Sequence, residues 1–226
     1  MGAKNVEFQK CNVDLREKAE WHKAINGGLV PVLETPDGTT IYESAVIAEL
    51  ASNYQPGQGI PVWPHEAKPG DLQASMQTAQ MKLQMLKFDK LVNGNFWGPL
   101  LSRFQNEEKV AQLKTVIPEF EQFVVDNLKG NKFFGGDDPM YLDIHCYPIL
   151  ERMVLLENSP WQHGWEALDL KSQIPTIVDY VKRFREHPLM KPHCVNKDFN
   201  DKHLEHWLTK EPGVKAQLSN EYLKTD

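Results

Sequence analysis

Residues 29–50 read LVPVLETPDGTTIYESAVIAEL, and the reading of this stretch decides the fold. Leu29, Val30, Val32 and Leu33 form an apolar, β-rich run, and Pro36-Asp37-Gly38-Thr39 turns the chain back into Thr40-Ile41-Tyr42, which predicts a β-hairpin. From Ser44 the residues become helix formers, with Ser44 the expected N-cap. Proline cannot donate to a sheet ladder, so Val30-Pro31 marks a special position. If that bond is cis, the backbone of Val30 turns outward, where its N–H and C=O can pair with an extended peptide-like ligand. Glu43 and Ser44 stand at a helix start, where free N–H groups favour a carboxylate. Taken singly, Pro31 also fits an edge-strand kink and Ser44 a plain cap.

Upstream, residues 6–13 alternate apolar and polar side chains and predict a strand with one buried face, followed by the breaker Asn26-Gly27-Gly28. Downstream, residues 55–70 are dense in Pro and Gly and read as a linker without regular structure. Beyond them the pattern is helical. Met76, Ala79, Leu83, Leu86 and Leu91 mark one helix by their spacing. Val110, Leu113, Ile117, Phe120, Val124 and Leu128 mark another, which Pro118 is expected to kink or split. Residues 142–156 suit a helix buried in the domain centre, and residues 175–186 give one more. A polar tail from Asp198 carries one short helix around Trp207. The expected organisation is a partial α/β domain over 1–55, a linker over 56–70 and an all-helical domain over 71–226.

The composition is that of a globular protein: 226 residues, 41% hydrophobic, with a net charge of −6. The acidic balance lacks the basic footprint of a nucleic-acid binder, and no long apolar run suggests a membrane span. A cytoplasmic protein is expected. Cys11, Cys146 and Cys194 are odd in number and widely spaced, which reads as reduced thiols. Cys11 on a half-buried strand and Cys146 on an apolar helix are expected to be unreactive. Cys194 has His187, His193, His203 and His206 near it in sequence, but at no standard ligand spacing, so no metal is expected. Phe96-Trp97 reads as core or as the lining of an apolar pocket.

Residues 29–50 resemble the glutathione-binding strand, hairpin and helix of the glutathione transferase superfamily. The resemblance implies a cis Val30–Pro31 bond, pairing of Val30 with the cysteinyl backbone of glutathione, and a γ-glutamyl end held by Glu43 and Ser44. Lys18-Ala19-Glu20-Trp21 resembles the Lys-Pro-Glu-Trp of omega-class members, which places Lys18 near the glycyl carboxylate; by itself Lys18 also reads as a solvated surface lysine. Phe133-Phe134-Gly135-Gly136, Leu142-Asp143-Ile144 and Pro148-Ile149-Leu150-Glu151-Arg152 resemble the glycine turn and central helix of omega-like members. Met140 replaces the hydroxyl of the family's capping box, leaving only Asp143, at an expected cost of about 1 kcal/mol.

The resemblance therefore implies a truncated thioredoxin-like domain, lacking the first strand, the first helix and the catalytic turn between them, followed by an all-helical domain. The catalytic residue is unknown. The implied function is glutathione-dependent transfer, or thiol-disulfide exchange, on a small electrophile or mixed disulfide. The alternative is a non-catalytic scaffold of the same fold. A homodimer, or a partner chain covering the open sheet beside residues 6–13, is expected.

Overall fold

The computed structural model describes residues 4, 6–9, 11, 13, 17–54, 58–93, 95–101, 106–155 and 170–194. Helix α1 (Glu20–Asn26) leads through Gly27 and Gly28 into strand β1 (Val32–Glu34), which pairs antiparallel with β2 (Thr40–Tyr42). The register sets Val32 opposite Tyr42 and Glu34 opposite Thr40. The turn is built as its sequence requires: Asp37 accepts from the Thr35 hydroxyl at 2.5 Å and from the Thr39 N–H at 3.1 Å, and Gly38 takes a φ of 85°. Helix α2 (Ser44–Tyr54) follows directly. This is the thioredoxin-like N-terminal domain, with its small two-stranded sheet, and the remainder of the described chain is helical.

Three expectations change here. The described residues among 6–13 belong to no strand. Alternation alone makes no ladder; among the described residues the sheet has two strands, β1 and β2, and neither pairs with this segment. Cys11 is exposed rather than half-buried. Second, Ser44 is the first helical residue, and Glu43 holds the cap position: its carbonyl accepts the Ile47 N–H at 3.0 Å. Third, the Pro-rich stretch carries helix α3 (Pro64–Ala67), since a proline at the first helical position surrenders an N–H that would be unpaired anyway. Ile60, Val62 and Trp63 before it are buried in the main core. Glu66 of α3 accepts from the Trp63 N–H at 2.9 Å and from Ser52, and pairs with buried Lys4 at 2.6 Å.

The helical domain contains α4 (Leu72–Val92), α5 (Trp97–Leu101), α6 (Glu107–Leu128), α7 (Tyr141–Leu155), α8 (Leu170–Gln173), α9 (Pro175–Glu186) and a 3₁₀ turn at Lys191–His193. Asp71 caps α4 through the Ala74 N–H and Asn106 caps α6 through the Lys109 N–H, each at 3.0 Å. The start of α9 is capped from another helix, by the two Glu121 oxygens on the Thr176 and Ile177 N–H groups. Helix α6 runs unbroken through Pro118, so the proline neither splits it nor begins a new one. Helix α7 lies at the centre as expected, burying Leu142, Cys146, Tyr147, Leu150 and Met153.

On α4 most of the expected apolar stripe faces solvent, while Leu91 is half-buried against the core. Met81, Met85, Phe88 and Val92 are buried instead, while Leu72, Met76, Leu83 and Leu86 are exposed, Leu83 by 58% and Leu86 by 60%. The helix is apolar on two sides, and spacing alone does not say which side meets the core. Phe96 is core and Trp97 lies at its margin with the Arg152 guanidinium 6.0 Å from the ring, so the pair is packing. The helix expected around Trp207 lies outside the described residues, as do His203 and His206.

Candidate functional site

The Val30–Pro31 peptide bond is cis. The hairpin register brings the two ends of the predicted site together: with Val32 opposite Tyr42, Pro31 and Glu43 are the next residues out on their respective arms, followed by Val30 and Ser44. All four are exposed. Glu43 has a φ of 71°, a conformation that non-glycine residues rarely adopt and that turns the chain from strand into helix within one residue. The first N–H groups of α2 have no acceptor inside the helix and face the same end of the hairpin. One edge thus offers exposed Val30, a carboxylate at Glu43, a hydroxyl at Ser44 and a helix start that favours negative charge.

Lys18 packs against Gly28. A Cβ built on Gly28 would lie 2.6 Å from the Lys18 Cδ, so the lysine stem lies across the glycine, two residues before Val30. With a φ of 71°, Gly28 is also in the left-handed region, and glycine is required there on both counts. Gly28 reads as a mere breaker in sequence; its role as the bed of Lys18 depends on a contact that no spacing rule encodes.

The helical domain supports the site from behind. The Tyr141 hydroxyl donates to the Ser44 carbonyl at 3.4 Å, and the Tyr141 N–H donates to the Val62 carbonyl at 2.8 Å. Lys82 of α4 reaches Glu49 of α2 at 3.1 Å and stands 5.2 Å from the Trp63 ring centre. A 260 Å³ cavity lies behind α2, lined by residues including Ala48, Ala51, Tyr141, Ile144, Tyr147 and Phe184.

Asp143 performs the capping role expected of it. Its two oxygens accept from the Phe134 and Met140 N–H groups, each at 2.8 Å, and the Tyr180 hydroxyl donates to it at 2.9 Å. Burial outweighs these bonds and pushes its carboxyl up to about 6. The Met140 side chain in place of the hydroxyl fills the space over Gly135, where a Cβ would lie 2.3 Å from the Met140 Cγ. Cys146 is completely buried; burial, and then the Asp143 and Asp89 carboxylates, push its thiol well up. Burial also raises the Cys194 thiol, which donates to the Met190 carbonyl at 3.3 Å. Neither thiol is activated.

Residues 2–53 match the family described as Glutathione S-transferase, N-terminal domain. Omega-1 glutathione S-transferase of Sus scrofa is 32% identical over 184 residues, covering 76% of this chain and 69% of that protein. The chain belongs to the glutathione transferase family. Among solved structures, the trimeric glutathione transferase TDR1 of Leishmania superposes with a TM-score of 0.73 at 20% identity, over 92% of this chain and 44% of that one. Rice GST1 in complex with glutathione gives 0.73 at 19% identity, over 93% and 89%. These two likenesses bear on the fold. For this glutathione transferase relative, the match to the omega-1 protein agrees with an omega-like family resemblance. No helix among its described residues is long and apolar enough to cross a membrane.

Proposed function

We propose that the chain binds glutathione along the exposed edge formed by Val30, Pro31, Glu43 and Ser44. The backbone of Val30 pairs with the cysteinyl unit, and Glu43 with Ser44 and the start of α2 holds the γ-glutamyl end. Lys18 faces the glycyl carboxylate. The observation that carries this reading is the hairpin register, which brings exposed Val30 and Pro31 beside the left-handed Glu43 and Ser44 at one end of the hairpin. An extended peptide with a carboxylate at each end matches a strand edge flanked by a helix start and a lysine.

The bound thiol then attacks a small electrophile, or one sulfur of a mixed disulfide, in the manner of a glutathione transferase or thiol transferase of the cytoplasm. In the first case the thiol gives its proton to solvent, its sulfur forms a carbon–sulfur bond and the leaving group departs with its electron pair. In the second, glutathione sulfur forms the new disulfide and the displaced thiolate takes up a proton.

A second reading is a non-catalytic scaffold that associates through its helical domain. It is favoured by Leu72, Met76, Leu83 and Leu86 lying exposed on α4, a surface suited to a second copy of the chain. It is favoured also by Cys146 and Cys194, whose thiols burial deactivates.

Calorimetric titration of the full chain with reduced glutathione, beside Ser44→Ala, tests the binding site. Saturable binding that the substitution weakens supports it, and no binding by the folded chain overturns it. Turnover of a glutathione-mixed disulfide by the same preparation separates the enzyme from the scaffold.

A further inference from the structure

His22 is the buried residue of α1, at 2% exposure on a helix whose other side chains are wholly or partly accessible. Its Nε2 lies 3.3 Å from the Leu29 carbonyl oxygen. A carbonyl only accepts, so this contact puts a proton on Nε2. Nδ1 is buried with no partner among the described residues. A phenyl ring would fill this place without an unpaired nitrogen, so the one polar gain from histidine here is its bond to Leu29.

That bond falls at a decisive point. The Leu29 carbonyl and the Val30 N–H belong to one peptide unit, and the bond joining these residues is trans, since the cis bond is the next one. In a trans peptide the C=O and N–H point in opposite directions. A carbonyl drawn inward to His22 therefore directs the Val30 N–H outward, to the side where a peptide ligand would pair with it. Little else holds this plane by burial: Leu29 and Val30 are 58% and 48% exposed, and Gly27 and Gly28 precede them with φ of 59° and 71°. Among the described residues, further restraints here are the Leu29 N–H bond to the Asn26 carbonyl at 3.0 Å and the Lys18 stem across buried Gly28.

We infer that His22 is a positioning residue for the glutathione site, its Nε2–H fixing the Leu29–Val30 peptide plane so that the Val30 N–H faces the cysteinyl carbonyl of the ligand. This rests on the proposed glutathione reading. The histidine touches no ligand and acts through the backbone.

The test compares the full chain with His22→Phe, His22→Gln and Ser44→Ala in titrations with reduced glutathione, alongside thermal melts. Phe keeps the bulk and loses the donor; the Gln amide restores a donor near the same place. His22→Phe is expected to weaken binding about fivefold or more, and His22→Gln to recover most of it, while both melt at similar temperatures. Affinity unchanged in His22→Phe overturns the inference. So does equal loss in Phe and Gln, because a role in packing alone gives that pattern. If the wild-type chain does not bind glutathione, the site reading fails, and the nitrogen-15 spectrum of the imidazole still judges His22. A proton on Nε2, with a Val30 amide resonance that moves in Phe and returns in Gln, supports the positioning role; a proton on Nδ1 overturns it.

Discussion

The Tyr141 hydroxyl donates to the Ser44 backbone carbonyl over 3.4 Å, joining the first turn of the central helix α7 to the first turn of α2. Burial first, and the Asp89 carboxylate second, raise this phenol above its ordinary value, so it stays protonated and remains a donor. The helical domain thereby holds the residue that would bind the γ-glutamyl end of glutathione. Tyr141→Phe removes only the hydroxyl. At this length the bond belongs at the low end of the usual range, about 0.5 kcal/mol, or roughly a twofold loss of glutathione affinity. Unchanged affinity in a calorimetric titration would dismiss the coupling.

Gly28→Ala attacks the other side of the site. The new Cβ meets the Lys18 stem at a backbone angle that alanine resists, so a loss of about 1 kcal/mol or more in stability is expected, with displacement of Lys18. Glutathione should bind more weakly, and glutathione ethyl ester, which lacks the glycyl charge, should be less affected. Equal weakening of both ligands would remove Lys18 from the site.

Asp143 makes stability depend on pH. Its folded carboxyl titrates near 6 against the 3.8 of an unperturbed aspartate, because burial disfavours the charge more than its N–H donors restore it. The raised value means that its protonation stabilises the folded chain fully below pH 3.8, a contribution lost as pH rises through 6. Between pH 7 and pH 5 the wild type should gain on the order of 1 kcal/mol relative to Asp143→Asn, which cannot titrate. Urea melts of the two proteins at both pH values measure this difference, and a gap independent of pH contradicts it.

The cysteines should differ sharply in reactivity. Cys11 is exposed, whereas Cys146 is sealed in the core with its thiol pushed well up. A short pulse of maleimide at neutral pH is expected to label Cys11 in the native chain and Cys146 only after denaturation. Mass spectrometry of the digested product reads the order directly; early labelling of Cys146 would mean that α7 opens readily.

The apolar face of α4 is exposed at Leu72, Met76, Leu83 and Leu86. Leu83→Glu changes a solvent-facing side chain and should leave folding within about 0.5 kcal/mol of the wild type. If a second copy covers Leu72, Met76, Leu83 and Leu86, sedimentation will show a dimer that this substitution converts to monomer. A wild type monomeric at high concentration excludes that interface.

Local chemistry makes much of this protein legible in its sequence. The hairpin follows from Pro36, Asp37 and Gly38, the special peptide from Val30-Pro31, the helical domain from apolar spacing, and the cap of α7 from Asp143, because turns, caps and periodicity depend on neighbours in the chain. The misplaced features depend on neighbours in space. Residues 6–13 carry the alternation of a strand, yet a strand requires a partner edge, and the described sheet pairs only β1 with β2. Helix α4 is apolar on two faces, and packing against α7 selected Met81, Met85 and Phe88 for the core over Leu83 and Leu86. Lys18 meets Gly28, His22 meets Leu29 and Tyr141 meets Ser44 only once the chain has folded. Sequence by itself determined the kinds of local structure and the chemical groups at the candidate site; tertiary packing alone decided which faces are buried and which groups meet, because those depend on the path of the folded chain, which no local pattern specifies.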